Sequence, residues 1–350
     1  ILYRLFPELA AKEERGGFFG YFGFSRESGG GASSPESYLN PEENSSLEGG
    51  DPQMKNAPEI IAMREFSPKF IVSGVFGKYN REAKKWEKQY FTVPTEVSEP
   101  ALTRTFTLPH PPSNGRISLP KPLGTKIIPE RAFAIDHNGQ KTQLKTEENS
   151  LGEVLALIPK NTASVVYSFL ESQLEMPLED ISQSDLQKRQ RGLGKETAGV
   201  LTEKIATLPP DLKLFISAIA GRPPKEKLRL IEQFVKKISY YDFDNREVAD
   251  LKRNKDLNEL LAVMEARMNE LLDKKPELAP KLRGKKYAGV CADFAKLTAI
   301  LLREAGFAAG VINGFASHGK SVTSREAHAL NFVLYPSGAR GTRPVLLDAT

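Results

Sequence analysis

The sequence predicts an α+β protein, in which a β-rich region precedes a C-terminal domain of mixed helices and strands. From residue 63 to 175, short runs of β-branched and aromatic residues alternate with proline and glycine, which is typical of strands joined by turns. From residue 223 onward, apolar residues recur at helical spacing, and two strand-like runs follow near the C-terminus. The 350 residues are enough for two domains of ordinary size.

The composition is that of a globular protein, with 40% hydrophobic and 27% charged residues. The net charge of +5 comes from 49 basic and 44 acidic residues, and it is too small and too evenly spread to indicate a nucleic-acid partner. No apolar run approaches the roughly 18 residues of a membrane span. Because the chain begins with Ile1 rather than Met, we expect a fragment or a processed form, from which an upstream signal or membrane anchor could have been lost. Localisation stays open.

The N-terminal segment, residues 1–62, is predicted to be a low-complexity, disordered linker. It is rich in Gly, Ser, Pro, Glu and Asn and offers little apolar surface to bury. An aromatic patch at residues 18–24 interrupts it. This patch either docks on a partner or is a sticky part of the linker, and the composition favours the linker.

The β-rich region, residues 63–175, is expected to form a small β-sandwich or barrel-like domain. Asn138-Gly139 is a strong signal for a two-residue hairpin turn. His110 and His137 stand beside turn residues and are interpreted as surface histidines. The strand-like runs are residues 70–72, 90–93, 104–108 and 164–169.

A helical connector is predicted for residues 176–222, broken at Gly192, Gly194 and Pro209-Pro210. The next helix should begin at Pro223-Pro224, since proline is tolerated in the first turn. A further apolar stripe at residues 257–271 ends before Pro276 and predicts another helix.

Cys291 is the only cysteine, which excludes an internal disulfide and a thiolate zinc cluster. A lone cysteine is more often a buried hydrophobe than a nucleophile. Here, however, Gly289 ends an irregular segment and a helix is predicted to begin at or just before Cys291 and to stop at Gly306. Unpaired N–H groups in a first helical turn favour a thiolate and can bind the oxyanion formed when it attacks a carbonyl. This position therefore favours a nucleophile.

A base and an orienting acid are predicted downstream of the cysteine. His328 lies near the start of a strand-like run, and residues 336–338 form a turn. The run 344–348 reads as the next strand, with Asp348 at its end. A hairpin of this kind can bring the Asp348 carboxylate to the His328 imidazole and fix its tautomer. Alone, such a histidine is more often structural and such an aspartate more often a cap, so the hypothesis depends on the order and context of all three residues.

Five segments together resemble the bacterial transglutaminase-like superfamily: residues 289–295 (GVCADFA), 301–307, 310–314, 328–329 and 347–350. The resemblance covers about residues 223–350. It implies a papain-like transglutaminase core, in which the helix carrying the cysteine packs on an antiparallel sheet. It also implies that Cys291, His328 and Asp348 are the catalytic set, and that the helix at 225–239 with Tyr240-Tyr241 is the first helix and strand of this core.

The predicted function is acyl transfer from an amide carbonyl of a protein or peptide substrate, with no cofactor and no metal. Hydrolysis is favoured over transamidation, although no residue distinguishes the two acceptors. The Cys291 N–H is expected to bind the oxyanion, with Tyr287 as the guess for a second donor, and His318 is interpreted as a surface residue with a substrate-loop contact second. Two alternatives stay open: a catalytically inert binding module, and a scaffold that recruits a partner through residues 18–24.

Overall fold

The computed structural model describes residues 59–63, 68, 70–87, 101–112, 115–148, 153–172, 178–193, 195–205, 207–242, 256–317, 319–337 and 341–349. The aromatic patch, the strand expected at 90–93 and His318 lie outside these residues. The strands are β1 (Glu59–Met63), β2 (Phe70–Phe76), β3 (Lys78–Asn80), β4 (Lys85–Glu87), β5 (Ala101–Leu108), β6 (Gly115–Leu119), β7 (Lys126–Asp136), β8 (Lys141–Gln143), β9 (Thr146–Glu148), β10 (Val154–Ile158), β11 (Thr162–Ser172), β12 (Ser239–Tyr241), β13 (Tyr287–Gly289), β14 (Ala309–Ala316), β15 (Ser321–Thr323), β16 (Ala327–Ser337) and β17 (Gly341–Leu347).

The helices begin where capping groups satisfy their first N–H groups or where proline removes one. Asp256 and Glu259 form a reciprocal capping box in front of the second long helix, and the first long helix begins at Pro224, as predicted. Within the described ranges, no helix combines the length and the apolar character needed to cross a membrane. The helices are α1 (Gln183–Arg191), α2 (Lys195–Thr202), α3 (Pro210–Ile219), α4 (Pro224–Ile238), α5 (Leu257–Lys274), α6 (Ala279–Leu282) and α7 (Cys291–Glu304), with 3-10 turns at Pro276–Leu278 and Ser324–Glu326.

The β-rich region consists of two sheets around one apolar core. A six-stranded sheet has the order β15-β1-β5-β11-β7-β8, and a three-stranded sheet has the order β6-β10-β9. Buried side chains from both sheets, such as Phe106, Val165 and Val154, belong to the same apolar cluster. A hairpin joins β7 to β8, but its loop is one residue longer than the predicted two-residue turn: Asp136 N–H donates to the Gln140 carbonyl at 3.1 Å, which leaves residues 137–139 as the loop. Gly139 has a positive φ of +81° and Asn138 does not, which is typical of a three-residue hairpin loop.

The C-terminal part is the α+β core that the sequence predicts. Strands β17-β16-β14-β2 form a four-stranded antiparallel sheet. Helix α7 packs against this sheet, and its buried residues share an apolar cluster with side chains of α4, α5, β14 and β16. The Asn331 amide on β16 ties the two layers together, since it donates to the Ala295 carbonyl of α7 at 2.8 Å and to the Gly310 carbonyl of β14 at 3.2 Å.

The two parts exchange strands across the predicted domain boundary. Strand β2 was expected in the β-rich region, but it pairs with β14 in the C-terminal sheet. Conversely β15, from the C-terminal part, pairs with β1 in the six-stranded sheet. All seven residues of β2 are buried, so this strand requires apolar partners on both of its faces. The predicted boundaries at 62, 175 and 222 stay a prediction, whereas the sheets themselves are interleaved.

Candidate active site

Helix α7 begins at Cys291, as the sequence predicts, and its first turn is held by a nearby carboxylate. Val290 precedes the helix in an extended conformation. The buried Asp293 carboxylate accepts a hydrogen bond from the Val290 N–H at 3.0 Å. Gly289 is required here, because a Cβ at this position would lie 2.8 Å from Asp293 Oδ2 and 3.3 Å from Met264 Cε. The thiol of Cys291 is thereby fixed at the N-terminus of a buried helix, with 0% exposure.

His328 and Asp348 come together at the end of the hairpin formed by β16 and β17. The two strands are antiparallel with Asn331 opposite Leu347, so the start of β16 and the end of β17 meet at one edge. His328 Nε2 lies 3.4 Å from Asp348 Oδ2. The imidazole is 16% exposed and the carboxylate 48% exposed, so the pair faces solvent mainly through the carboxylate.

The His328 imidazole also forms a hydrogen bond with the Cys291 thiol, which places it between the two acidic groups. Burial alone lowers the pKa of His328, but the hydrogen bonds with Asp348 and Cys291 outweigh it and raise that pKa to about 10. Burial alone raises the pKa of the Cys291 thiol, yet its contact with His328 brings the net pKa below the ordinary value. Both shifts favour a thiolate–imidazolium pair at neutral pH.

Two further groups contact Cys291, and neither was anticipated from the sequence. The backbone N–H of Ala329 donates to the sulfur. The Tyr241 hydroxyl is hydrogen-bonded to the thiol and also accepts from the Cys291 backbone N–H. Burial, together with the charge of the Cys291 sulfur, raises the pKa of Tyr241, so its hydroxyl stays protonated and can donate.

Tyr241 reaches the thiol because β12 lies parallel to β13, with Tyr241 opposite Gly289. The strand is continued by a hydrogen bond from the Asp242 N–H to the Gly289 carbonyl at 2.9 Å. The buried Asp242 carboxylate in turn accepts from Arg267 Nε of α5 at 2.6 Å. The aromatic pair at Tyr240-Tyr241 was visible in the sequence, but its nearness to the cysteine was not.

Tyr287, the residue guessed as a second oxyanion donor, makes its contact with another group. Its hydroxyl interacts with the Lys286 amine, and Asp211 lies nearby. On β13 the side chain of Tyr287 therefore faces the salt bridge between Lys286 and Asp211, which is 2.9 Å long. His110 and His137 are exposed, as predicted. The described residues hold no group of three or more His, Cys, Asp or Glu side chains suited to a metal ion.

Residues 217–339 match the transglutaminase-like superfamily, and this part of the chain is a transglutaminase-like domain. Among solved structures, the periplasmic domain of TgpA from Pseudomonas aeruginosa is similar over 84% of this chain and 88% of its own, with 13% identity and a TM-score of 0.49. The same domain bound to ethylmercury covers 85% and 91%, with 14% identity and a TM-score of 0.42. No curated protein sequence matches the chain.

Proposed function

We propose that the C-terminal domain transfers acyl groups from amide carbonyls of a protein or peptide, with Cys291 as nucleophile, His328 as proton carrier and Asp348 as the group that orients His328. One observation carries the proposal. The His328 imidazole is hydrogen-bonded to the Cys291 thiol and faces the Asp348 carboxylate at 3.4 Å. Nucleophile, base and orienting acid in this sequence of contacts are what thiol acyl transfer requires.

In the first half of the proposed reaction, the Cys291 thiolate attacks the carbonyl carbon and the C=O electron pair moves to oxygen. His328, already protonated in the ion pair, gives its proton to the departing amine as the C–N bond breaks. The product is a thioester on Cys291. In the second half, His328 takes a proton from water as the water oxygen attacks the thioester carbonyl. The intermediate then collapses with breaking of the C–S bond, which releases the carboxylic acid and restores the Cys291 thiolate beside protonated His328.

The oxyanion of this reaction would be bound by the Cys291 N–H together with the Tyr241 hydroxyl. In the resting structure the Tyr241 hydroxyl already accepts the hydrogen bond of the Cys291 N–H. The Tyr241 side chain must therefore move a short way before the substrate carbonyl can accept from this N–H. The displaced hydroxyl can then turn its proton from the sulfur to the new oxyanion. The same movement opens a path to a thiol that is otherwise fully buried.

Water as the acceptor gives peptide or amide hydrolysis, and a lysine amine gives a crosslink. We favour hydrolysis, as expected from the resemblance to microbial transglutaminase-like domains. The rival is a catalytically inert module, and it makes an opposite prediction about the thiol, because an inert copy has no need for a reactive cysteine.

The test is the rate at which iodoacetamide alkylates the protein as a function of pH. Cys291 is the only cysteine, so the label reports on one site. We expect fast alkylation at pH 6, where an ordinary thiol of pKa about 8.5 is almost wholly protonated. His328→Ala should slow this labelling tenfold or more, whereas His110→Ala, an exposed control, should not. Labelling that rises only above pH 8 in the unmodified protein would remove the nucleophile and favour the inert module.

Tyr241→Phe separates oxyanion binding from thiol activation. Acylation by p-nitrophenyl acetate forms an oxyanion, whereas alkylation by iodoacetamide does not. We expect the burst of p-nitrophenol to slow by about 10²–10³, the usual cost of one oxyanion donor, while alkylation changes by less than about threefold. Equal losses in both reactions would show that Tyr241 acts on the thiolate instead.

A further inference from the structure

The candidate base, His328, is held from two sides by residues of the N-terminal part of the chain. One contact comes from β2, which is an integral strand of the C-terminal sheet. The other comes from β1, which pairs with the short strand β15 just before His328. Both β1 and β2 lie outside residues 217–339, the segment that matches the transglutaminase-like superfamily.

The contact from β2 is made by the Phe70 ring. It meets the His328 ring edge-on, with 6.3 Å between ring centroids and 68° between the planes. This geometry is within the range of favourable aromatic pairs, which stabilise beyond the burial of their surface. Phe70 is 4% exposed, so its ring is fixed by its own neighbours and can fix the imidazole in turn.

Gly314 makes this contact sterically allowed. Strand β14 runs between β2 and β16, and Gly314 pairs with His328 on one side and Val72 on the other. A Cβ at Gly314 would lie 3.0 Å from Phe70 Cε1 and 1.9 Å from the Ile71 carbonyl oxygen. Only glycine lets β2, and with it the Phe70 ring, approach this closely.

The contact from β1 fixes the chain that leads into His328. Val322 of β15 lies opposite Ile61, and Met63 N–H donates to the Lys320 carbonyl at 2.7 Å. Val322 and Ala327 are both buried in the core of the β-rich region. The turn between them is closed by Glu326, whose carboxylate accepts from the Thr323 N–H at 2.7 Å and from its hydroxyl at 2.5 Å.

We propose that the N-terminal β-rich region is part of the catalytic unit and that Phe70 is a positioning residue for His328. This inference rests on the proposed function, because it assigns a role relative to the candidate base. Phe70 does not touch Cys291 in any described contact, so it acts through the imidazole. A freely turning imidazole would spend less time on the line between Cys291 and Asp348, and the thiolate would be less populated.

The experiment compares Phe70→Leu, Phe70→Tyr and Phe307→Leu in the full chain. Phe307 is a matched control, since it is also a fully buried aromatic of this domain but follows the far end of α7. For each variant, the alkylation rate is measured from pH 5 to 9 together with the melting temperature. We expect Phe70→Leu to lower the rate at pH 6 by about 3–10-fold, as the energy of one aromatic pair allows, and to move the pH profile upward.

Phe70→Tyr should restore the profile, because it keeps the ring, while Phe307→Leu should lower the melting temperature and leave the profile unchanged. If Phe70→Leu does not fold, Phe70→Met, whose flexible side chain adapts to an irregular space, is measured in its place. The inference is overturned if the Phe70 variant keeps the original profile, or if Phe307→Leu moves it as much. Those outcomes differ from failure of the proposed function, which would appear as an ordinary thiol profile in the unmodified protein.

Discussion

The two ends of helix α7 both bury an ionisable group, and they do so for different purposes. At the N-terminal end, Cys291 meets a histidine that itself faces a half-exposed carboxylate. At the C-terminal end, Arg303 is 1% exposed, and its guanidinium donates to the Ala309 carbonyl at 2.8 Å and to the Gly77 carbonyl and stacks 4.9 Å above the Trp86 ring. Burial lowers the pKa of Arg303 to about 9.

The difference between the two ends lies in the partners. The direct contacts of Arg303 are two backbone carbonyls and an aromatic ring, none of which can accept its proton, and Glu203 acts on it only through its charge. This end therefore joins α7 to the segment after β2. The groups around Cys291 can exchange protons with one another and, through Asp348, with solvent. Burial of an ionisable side chain therefore does not by itself indicate that the side chain is reactive. Reactivity is indicated by a titratable partner that is itself in contact with water. Variants at the two ends of α7 test this difference.

The largest effect is expected from removing the thiol or the imidazole. Cys291→Ala and His328→Ala should abolish turnover of p-nitrophenyl acetate, because the nucleophile or its proton carrier is lost. The melting temperature should stay within a few degrees of the original, since neither side chain fills much of the core. If His328→Ala kept its turnover, the contact between His328 and Cys291 would have a structural role only, like the contacts of Arg303 at the other end of α7.

A smaller loss is expected at Asp348. Asp348→Asn keeps the shape of the side chain but removes the charge that orients His328 and stabilises the imidazolium. In a serine triad this change costs about 10⁴ in rate. We expect only about 10–10³ here, because the thiolate–imidazolium pair is already ionised. Rate and thermal unfolding measured together decide the matter, and an unfolded Asp348→Asn protein would contradict the assignment.

A substitution at Arg303, at the C-terminal end of α7, should lower the free energy of unfolding and leave the reactivity of the Cys291 thiol unchanged. Arg303→Met leaves the Ala309 and Gly77 carbonyls without their donor, at about 1–3 kcal/mol for each buried acceptor. Urea unfolding should therefore show a loss of roughly 2–6 kcal/mol. The folded fraction should keep the pH profile of alkylation. A shifted profile would show that the two ends are coupled through the helix.

The smallest effect is the pH dependence of stability from the ion pair. His328 has a folded pKa of about 10, raised from 6.5, so its contribution is complete below pH 6.5 and is lost as pH rises through about 10. The Cys291 pKa is lowered from 9.0, so its contribution is present above pH 9 and is lost as pH falls through the folded value. Above pH 6.5, the two proton differences therefore cancel from the folded pKa of Cys291 up to pH 9.

The difference in melting temperature between the original protein and a Cys291→Ala/His328→Ala double variant should therefore be flat from the folded pKa of Cys291 up to pH 9 and should decline above pH 9. A steady slope that reaches pH 9 with no flat region below it would mean that only one of the two groups is shifted. Differential scanning calorimetry in buffers of matched ionisation enthalpy gives the curve.

Much of this site was predictable because its signals are local in the sequence. Gly289 and Gly306 bound the helix that begins at Cys291, and the turn after residue 335 fixes a hairpin that aligns His328 with Asp348. Each of these features depends on residues within about 20 positions of one another.

Tyr241 and Phe70 were missed because their contacts with the site join distant parts of the chain. Tyr241 depends on a parallel pairing with Gly289, 48 residues later, and Phe70 meets a histidine 258 residues later. Nothing in the local pattern of either residue indicates its partner. The contact between Tyr287 and Lys286 was not anticipated either, because nearness in sequence to Cys291 does not decide which way a strand residue faces.

The strand exchange also sets the order in which the molecule can assemble. Strand β2 leaves the ribosome about 230 residues before its partner β14, or roughly 10–50 s at ordinary rates of synthesis. Until β14 is made, β2 lacks the strand that holds it in the C-terminal sheet, although all seven of its residues are buried in the folded protein. Strand β15, one of the two partners of β1, follows β1 after a similar delay. The thiol site can therefore assemble around β2 only after the strands that carry His328 and lead to Asp348 have also been made.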